Sequence, residues 1–237
     1  MSKSFRLAFL NQRWYAFKKN GWSYKRLRAV TPRKPSAHEL ALATKTLSRL
    51  SILAAYGLID LRFGDQTAFS LTSNIPYGWN PVNEQQGIKC RKGGNLNVFG
   101  LLDVHHGCLR SYTTPGRVNT AQVIDWLDDF AKSLSKPTVV VLDNAPWHKS
   151  EEFMTQLPGW QCKHLFIYHI PAYSPHLNLI EIVWRMIKYH WLRPQDFECQ
   201  QALHERINYI LTHFQMPEFE IDFIAGGTNA SKTNLKC

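Results

Sequence analysis

The chain has 237 residues, 28 Lys and Arg against 18 Asp and Glu, a formal charge of +10 at pH 7, and 44% hydrophobic and 13% aromatic content. That length and composition support a sizeable core and argue against disorder. The apolar, uncharged stretch 50–59 is too short to span a bilayer, and no signal-peptide pattern opens the chain, so a soluble, cytoplasmic protein with no membrane partner is expected. The cysteines, Cys90, Cys108, Cys162, Cys199 and Cys237, form no CxxC pair and are odd in number. A disulfide framework or zinc ribbon is therefore not expected.

The charge is concentrated at the front. Residues 1–35 hold ten Lys and Arg and no acid, which leaves 18 basic and 18 acidic residues in 36–237. Phe5, Phe9, Trp14, Tyr15, Phe17, Trp22 and Tyr24 interleave with the cations, a mixture suited to a polyanion such as nucleic acid. Composition alone fits a solvated basic extension equally well. After Pro32 and Pro35, the spacing of Leu40, Ala43, Leu47, Leu50 and Ala54 predicts a helix over 37–56. A strand over 59–65 follows, then a loop with Pro76, Gly78 and Pro81, and antiparallel strands over 96–104 and 108–112 that turn at His105, His106 and Gly107. Asn119 or Thr120 caps a helix carrying Val123, Ile124, Leu127, Phe130 and Leu134. Next come a strand ending at Asp143, a short helix near 150–157, a strand over 164–170, a helix opened by Glu181 and a last helix over 198–214. This order predicts an α/β fold with a mixed sheet.

Three acids lie where an acid is costly. Asp143 closes the run Thr138-Val139-Val140-Val141-Leu142, which reads as a strand buried on both faces. Asp65 ends its strand and shares parity with Ile59, Leu61 and Phe63, so it points to the apolar face, whereas Asp60 points out beside Arg62. Glu181 follows a Pro-containing turn. On its helix Ile180, Val183, Trp184, Ile187 and Trp191 recur on one face for packing, and Glu181, Arg185 and Lys188 share a neighbouring face. Taken alone, Glu181 and Arg185 read as a surface pair worth about 0.3–0.5 kcal/mol. Together, the two strand aspartates and the helical glutamate suggest a divalent-metal site. Asp103 reads as a sheet or surface acid, and adjacent His105 and His106 in a turn read as solvated.

Three blocks carry a resemblance to a known family. They are Phe63-Gly64-Asp65-Gln66-Thr67-Ala68-Phe69-Ser70-Leu71, Val141-Leu142-Asp143-Asn144-Ala145-Pro146-Trp147-His148, and Tyr173-Ser174-Pro175-His176-Leu177-Asn178-Leu179-Ile180-Glu181-Ile182-Val183-Trp184. In order and separation they resemble the signature blocks of DDE transposases, in the mariner-like bacterial branch of the insertion sequence 630 group. Asn95-Leu96-Asn97-Val98-Phe99-Gly100 resembles the strand between the first two. The resemblance implies an RNase H-like fold over 58–214 and a metal-binding, catalytic triad of Asp65, Asp143 and Glu181. It further implies two Mg²⁺ or Mn²⁺ ions about 4 Å apart, with Asp143 or Asp65 bridging both and no small-molecule cofactor. Asn144 and His148 are expected to support the site or touch DNA, and His148 equally to cap the helix near Ser150. Tyr173, Pro175 and Asn178 are expected to shape the turn before Glu181. Arg185 and Lys188, with Lys25, Arg26 and Arg28 of the arm, are expected to contact DNA.

The implied function is metal-dependent cleavage and strand transfer at insertion-sequence ends, by a homodimer on DNA. Gln66, His176 and Leu179 depart from residues usual in the family. Residues 1–35, in which 21–28 resemble the tail of a helix-turn-helix module, are expected to be a remnant of a DNA reader, 36–57 a linker helix and 215–237 a tail. A truncated, inactive fragment that only binds DNA or a partner protein is the alternative.

Overall fold

The computed structural model describes residues 34–72, 93–145, 150–221 and 223. The expectations for Lys25, Arg26, Arg28 and His148 lie outside the described residues. Within the compact unit that begins at Lys34, five strands form one mixed sheet in the order β3-β2-β1-β4-β5. These are β1 (Asp60–Phe69), β2 (Leu96–Asp103), β3 (Cys108–Thr114), β4 (Thr138–Leu142) and β5 (Leu165–His169). β2 pairs antiparallel with β1 and β3, whereas β4 pairs parallel with β1 and β5.

Local chemistry sets the helix starts. Ser36 and Glu39 form a reciprocal capping box at α1 (Ala37–Ala55), and Asn119 with Gln122 does the same at α2 (Thr120–Lys132), satisfying amides that the helix leaves open. The short helix expected near 150–157 is two helices, α3 (Glu151–Met154) and α4 (Leu157–Cys162). Ser150 caps the first by accepting from the Phe153 amide, and Pro158 stands in the opening turn of the second, where its missing N–H costs nothing. α5 (Ile180–Met186) runs into a π-helical turn (Ile187–Trp191), and α6 (Gln200–Thr212) follows.

Both faces of the sheet are covered. Leu61, Phe63, Phe69, Val98, Leu102 and Val141 pack with Ile180, Val183, Trp184 and Ile187 and with Leu203 and Ile207 of α6. Phe99, Leu101, Val140 and Leu142 pack on the other side with Val123, Leu127 and Phe130 of α2 and with Phe153 and Trp160. The alternation along β2 and β4 explains why their sequences are apolar almost throughout. No described helix is long and apolar enough to cross a membrane.

The strand carrying Asp65 does not end there; β1 runs on to Phe69. The reason is that its two neighbours stop at different places. β2 holds β1 from Arg62↔Asp103 to Phe69↔Leu96, but β4 pairs with it only as far as Phe63↔Val141. Asp65 therefore sits in a strand that has lost its parallel neighbour.

At the other end of β1 lies a tight charged cluster. Asp60, Asp103 and His106 bring ligand-type atoms within 4.8 Å of one another. Cations already occupy it: Arg62 donates to Asp103 at 3.1 Å and Lys136 lies 2.9 Å from Asp60. Asp103, 1% exposed, also accepts the His105 and His106 amides and the His106 ring Nδ1, so it braces the β2–β3 hairpin. A buried carboxylate so paired is costly to remove. Asp103→Ala should lower unfolding stability by about 3 kcal/mol in urea titration, leaving the Arg62 guanidinium without its main partner.

Candidate active site

The register places two of the three acids together. Asp65 and Asp143 each lie two residues beyond Phe63↔Val141, the last pair of β1 and β4. Both share parity with Phe63 and Val141, which face α5. Ala145 donates its amide to Asp143 Oδ1 at 3.2 Å, turning the chain as it leaves β4.

Glu181 arrives by a pinned turn. Asn178 is buried, and its Nδ2 donates to the Gly64 carbonyl at 3.0 Å, tying the start of α5 to the strand residue beside Asp65. The Asn178 carbonyl accepts the Glu181 amide at 3.1 Å. Upstream, Tyr173 holds a left-handed backbone with φ +58 and Ser174 is buried, which identifies 173–178 as the segment that aims Glu181 into the site.

The three carboxyls act on one another electrostatically. Asp65 is pushed up to about 7, first by burial, then by the charge of Glu181 and, more weakly, by that of Asp143. Glu181 is accessible to solvent, yet partial burial and Asp143 hold it above its ordinary value, against the opposing pull of Lys188 and Arg185. Burial lowers Lys188, which is in turn supported by Glu181 and Asp65. The Lys188 ammonium lies 5.7 Å from the centre of the Phe69 ring, on the Asp65 side of β1. The π turn thus leaves Lys188 beside the acids, where ordinary helical spacing also put it.

Two residues emerge that the sequence reading assigned only to packing or to a strand. The Trp184 indole Nε1 donates to Asp65 Oδ2 at 3.0 Å. Gly100, opposite Asp65 in the β1–β2 pairing, leaves the room: a Cβ there would stand 2.7 Å from Trp184 Cη2. A lone glycine inside an apolar strand is a signal of close approach.

The donor set suits a hard divalent cation. It offers oxygens only, its carboxylates repel one another, and the buried Asn144 Oδ1 beside Asp143 has no hydrogen-bond partner among the described residues. Asp65, Asp143 and Glu181 could hold such an ion, with Asn144 next to Asp143 in the chain. His148, expected nearby, lies outside the described residues.

A mixed sheet flanked by helices, with acids meeting across adjacent strands and a helix, defines an RNase H-like fold. Residues 60–204 match the family model described as DDE superfamily endonuclease, and the chain belongs to that family. Among solved structures, it resembles the Mos1 strand transfer complex (15% identity, 85% of this chain and 62% of that chain, TM-score 0.53). It also resembles the Mos1 transposase paired-end complex with the left transposon end (15%, 85% and 63%, TM-score 0.55) and the Mos1 mariner paired-end complex with Mn (16%, 86% and 63%, TM-score 0.52). At such identities the likeness is one of fold, and the chain spans less than two thirds of those proteins' length. No curated protein matches the chain.

The raised Asp65 gives a signed pH dependence. Because the folded state holds that proton more tightly than the unfolded chain, this group's contribution is full below its ordinary value of 3.8 and is lost as pH rises through about 7. Asp65→Asn, neutral throughout, should therefore raise the melting temperature of metal-free protein at pH 8 and change it much less at pH 5. Differential scanning fluorimetry in EDTA checks this.

Proposed function

We propose that this chain is the catalytic part of a transposase that cuts DNA at insertion-sequence ends and joins the freed end to target DNA. The observation that carries the reading is the meeting of Asp65, Asp143 and Glu181 from two parting strands and a pinned helix. Membership of the endonuclease family gives that cluster its chemistry. The solved relatives are named as paired-end and strand transfer complexes, one with Mn, which supports transposon ends as substrate; a homodimer on DNA is the working assembly of this reading.

In this reading Asp65, Asp143 and Glu181 hold two Mg²⁺ or Mn²⁺ ions. Bound there, the ions supply an activated oxygen nucleophile and charge stabilisation at the leaving oxygen of a phosphodiester. The chain's own residues do the rest. Asn178 fixes the distance between Glu181 and β1. Asn144 offers a side-chain carbonyl oxygen beside Asp143, unpartnered among the described residues, for a bound water. Lys188 and Arg185 draw backbone phosphates toward the acids and offset part of the repulsion before metal arrives. Lys25, Arg26 and Arg28 enter this reading by charge alone, as cations suited to backbone phosphates.

Two outcomes follow. With a pre-cleaved element end, plasmid target and Mn²⁺, the wild type should give strand-transfer product on a gel, and Asp143→Asn should give none. Product at wild-type level from Asp143→Asn, or in EDTA, would remove Asp143 and metal from the mechanism. In filter binding against salt, Lys188→Ala should reduce the slope of log affinity on log salt by about 1, the signature of one lost phosphate contact.

A further inference from the structure

Trp184 is buried, at 2% exposure, inside the layer between β1, β2 and α5. Filling that layer requires bulk but no donor, and phenylalanine or leucine would serve. An indole N–H in such a place is a donor only, and it must find an acceptor or be stranded. The acceptor it finds is Asp65 Oδ2 at 3.0 Å. The opposite strand is cut back to let this happen. Gly100 is the Cα partner of Asp65, and a Cβ there would meet Trp184 Cη2 at 2.7 Å and Cζ2 at 2.8 Å. Three features therefore coincide on one cross-strand pair: a carboxylate, a missing side chain, and an aromatic donor laid over the gap.

We propose that Trp184 is a positioning residue of the metal site, its indole N–H fixing the Asp65 carboxylate in the orientation that receives a divalent cation. The inference rests on the reading of Asp65 as a metal ligand. A carboxylate has two oxygens and about four acceptor directions, so one N–H bond sets the carboxyl plane and leaves capacity for metal. Trp184 stands one helical turn after Glu181. The same helix thus carries one ligand and orients another, which sets the separation of Glu181 and Asp65 as a unit. Groups that orient ligands in this way typically change metal affinity by about 10- to 100-fold.

The test is Mn²⁺ binding by the full chain, with free Mn²⁺ read by electron paramagnetic resonance during titration with manganese chloride. Trp184→Phe keeps a ring in the slot and removes the N–H; it should raise the Mn²⁺ Kd by about tenfold or more. Ile180→Val loosens the same slot, since Ile180 Cδ1 lies 2.9 Å from the position of a Gly100 Cβ, but removes no donor. At a similar loss of melting temperature it should leave the Kd within about twofold, a small part of the range an orienting group commands. Gly100→Ala keeps the donor but displaces the ring, should also weaken Mn²⁺, and decides the matter if Trp184→Phe does not fold. Unchanged Kd in Trp184→Phe, or equal weakening in Ile180→Val, overturns the role of Trp184 while leaving the metal site standing. Absence of Mn²⁺ binding by the wild type overturns both.

Discussion

Past Phe63 and Val141 the strands β1 and β4 stop pairing, while β2 keeps its hold on β1. Everything at the site depends on that divergence. The aspartates just beyond it project toward the α5 side, at the edge of an apolar layer that would reject a lone carboxylate. Asp65 registers the cost, sitting at about 7 where its ordinary value is 3.8. Burial is the largest single cause of that rise, repulsion from Glu181 comes next, and that from Asp143 is weaker. Trp184 and the Gln66 amide offset part of it. The arrangement is held in place by packing and by the Asn178 tie, against the preference of the carboxylates to separate.

The molecule has two groups of acids, and charge balance separates them. Around Asp60 and Asp103, Arg62 and Lys136 lie at 2.9 to 3.1 Å, and Asp103 also accepts from the His105 and His106 amides and the His106 ring. A divalent ion there would have to displace two bound cations. At an effective dielectric near 20, unit charges about 4 Å apart interact by about 4 kcal/mol, so these pairs already compensate the carboxylates. Around Asp65, Asp143 and Glu181, the cations are Lys188 and Arg185, and their pull on Glu181 does not cancel the upward shift. Geometric tightness favours the first group as a metal site; charge favours the second.

Much of this was legible in the residues, for identifiable reasons. The mostly apolar run 96–102 and the β-branched run before Asp143 read as strands buried on both faces. Cap pairs at Ser36 and Asn119 fix helix starts by local hydrogen bonds. The apolar spacing of Ile180, Val183, Trp184 and Ile187 gives the packing face of α5. The length of β1 was not legible, because it depends on where its neighbours stop. Nor was the division of 151–162 into two helices, or the π turn after Met186, both of which serve tertiary packing. The bond from Trp184 to Asp65 spans strand and helix, and no pattern within either segment announces it. Only Gly100, isolated in an apolar strand, hinted that a large group would press against the sheet.

The most direct test of the account is anomalous diffraction at the manganese edge from crystals of the protein soaked in Mn²⁺. The account places the density between the carboxyls of Asp65, Asp143 and Glu181, and requires it to vanish in Asp143→Asn. Density at Asp60, Asp103 and His106, with none at the triad, would contradict it.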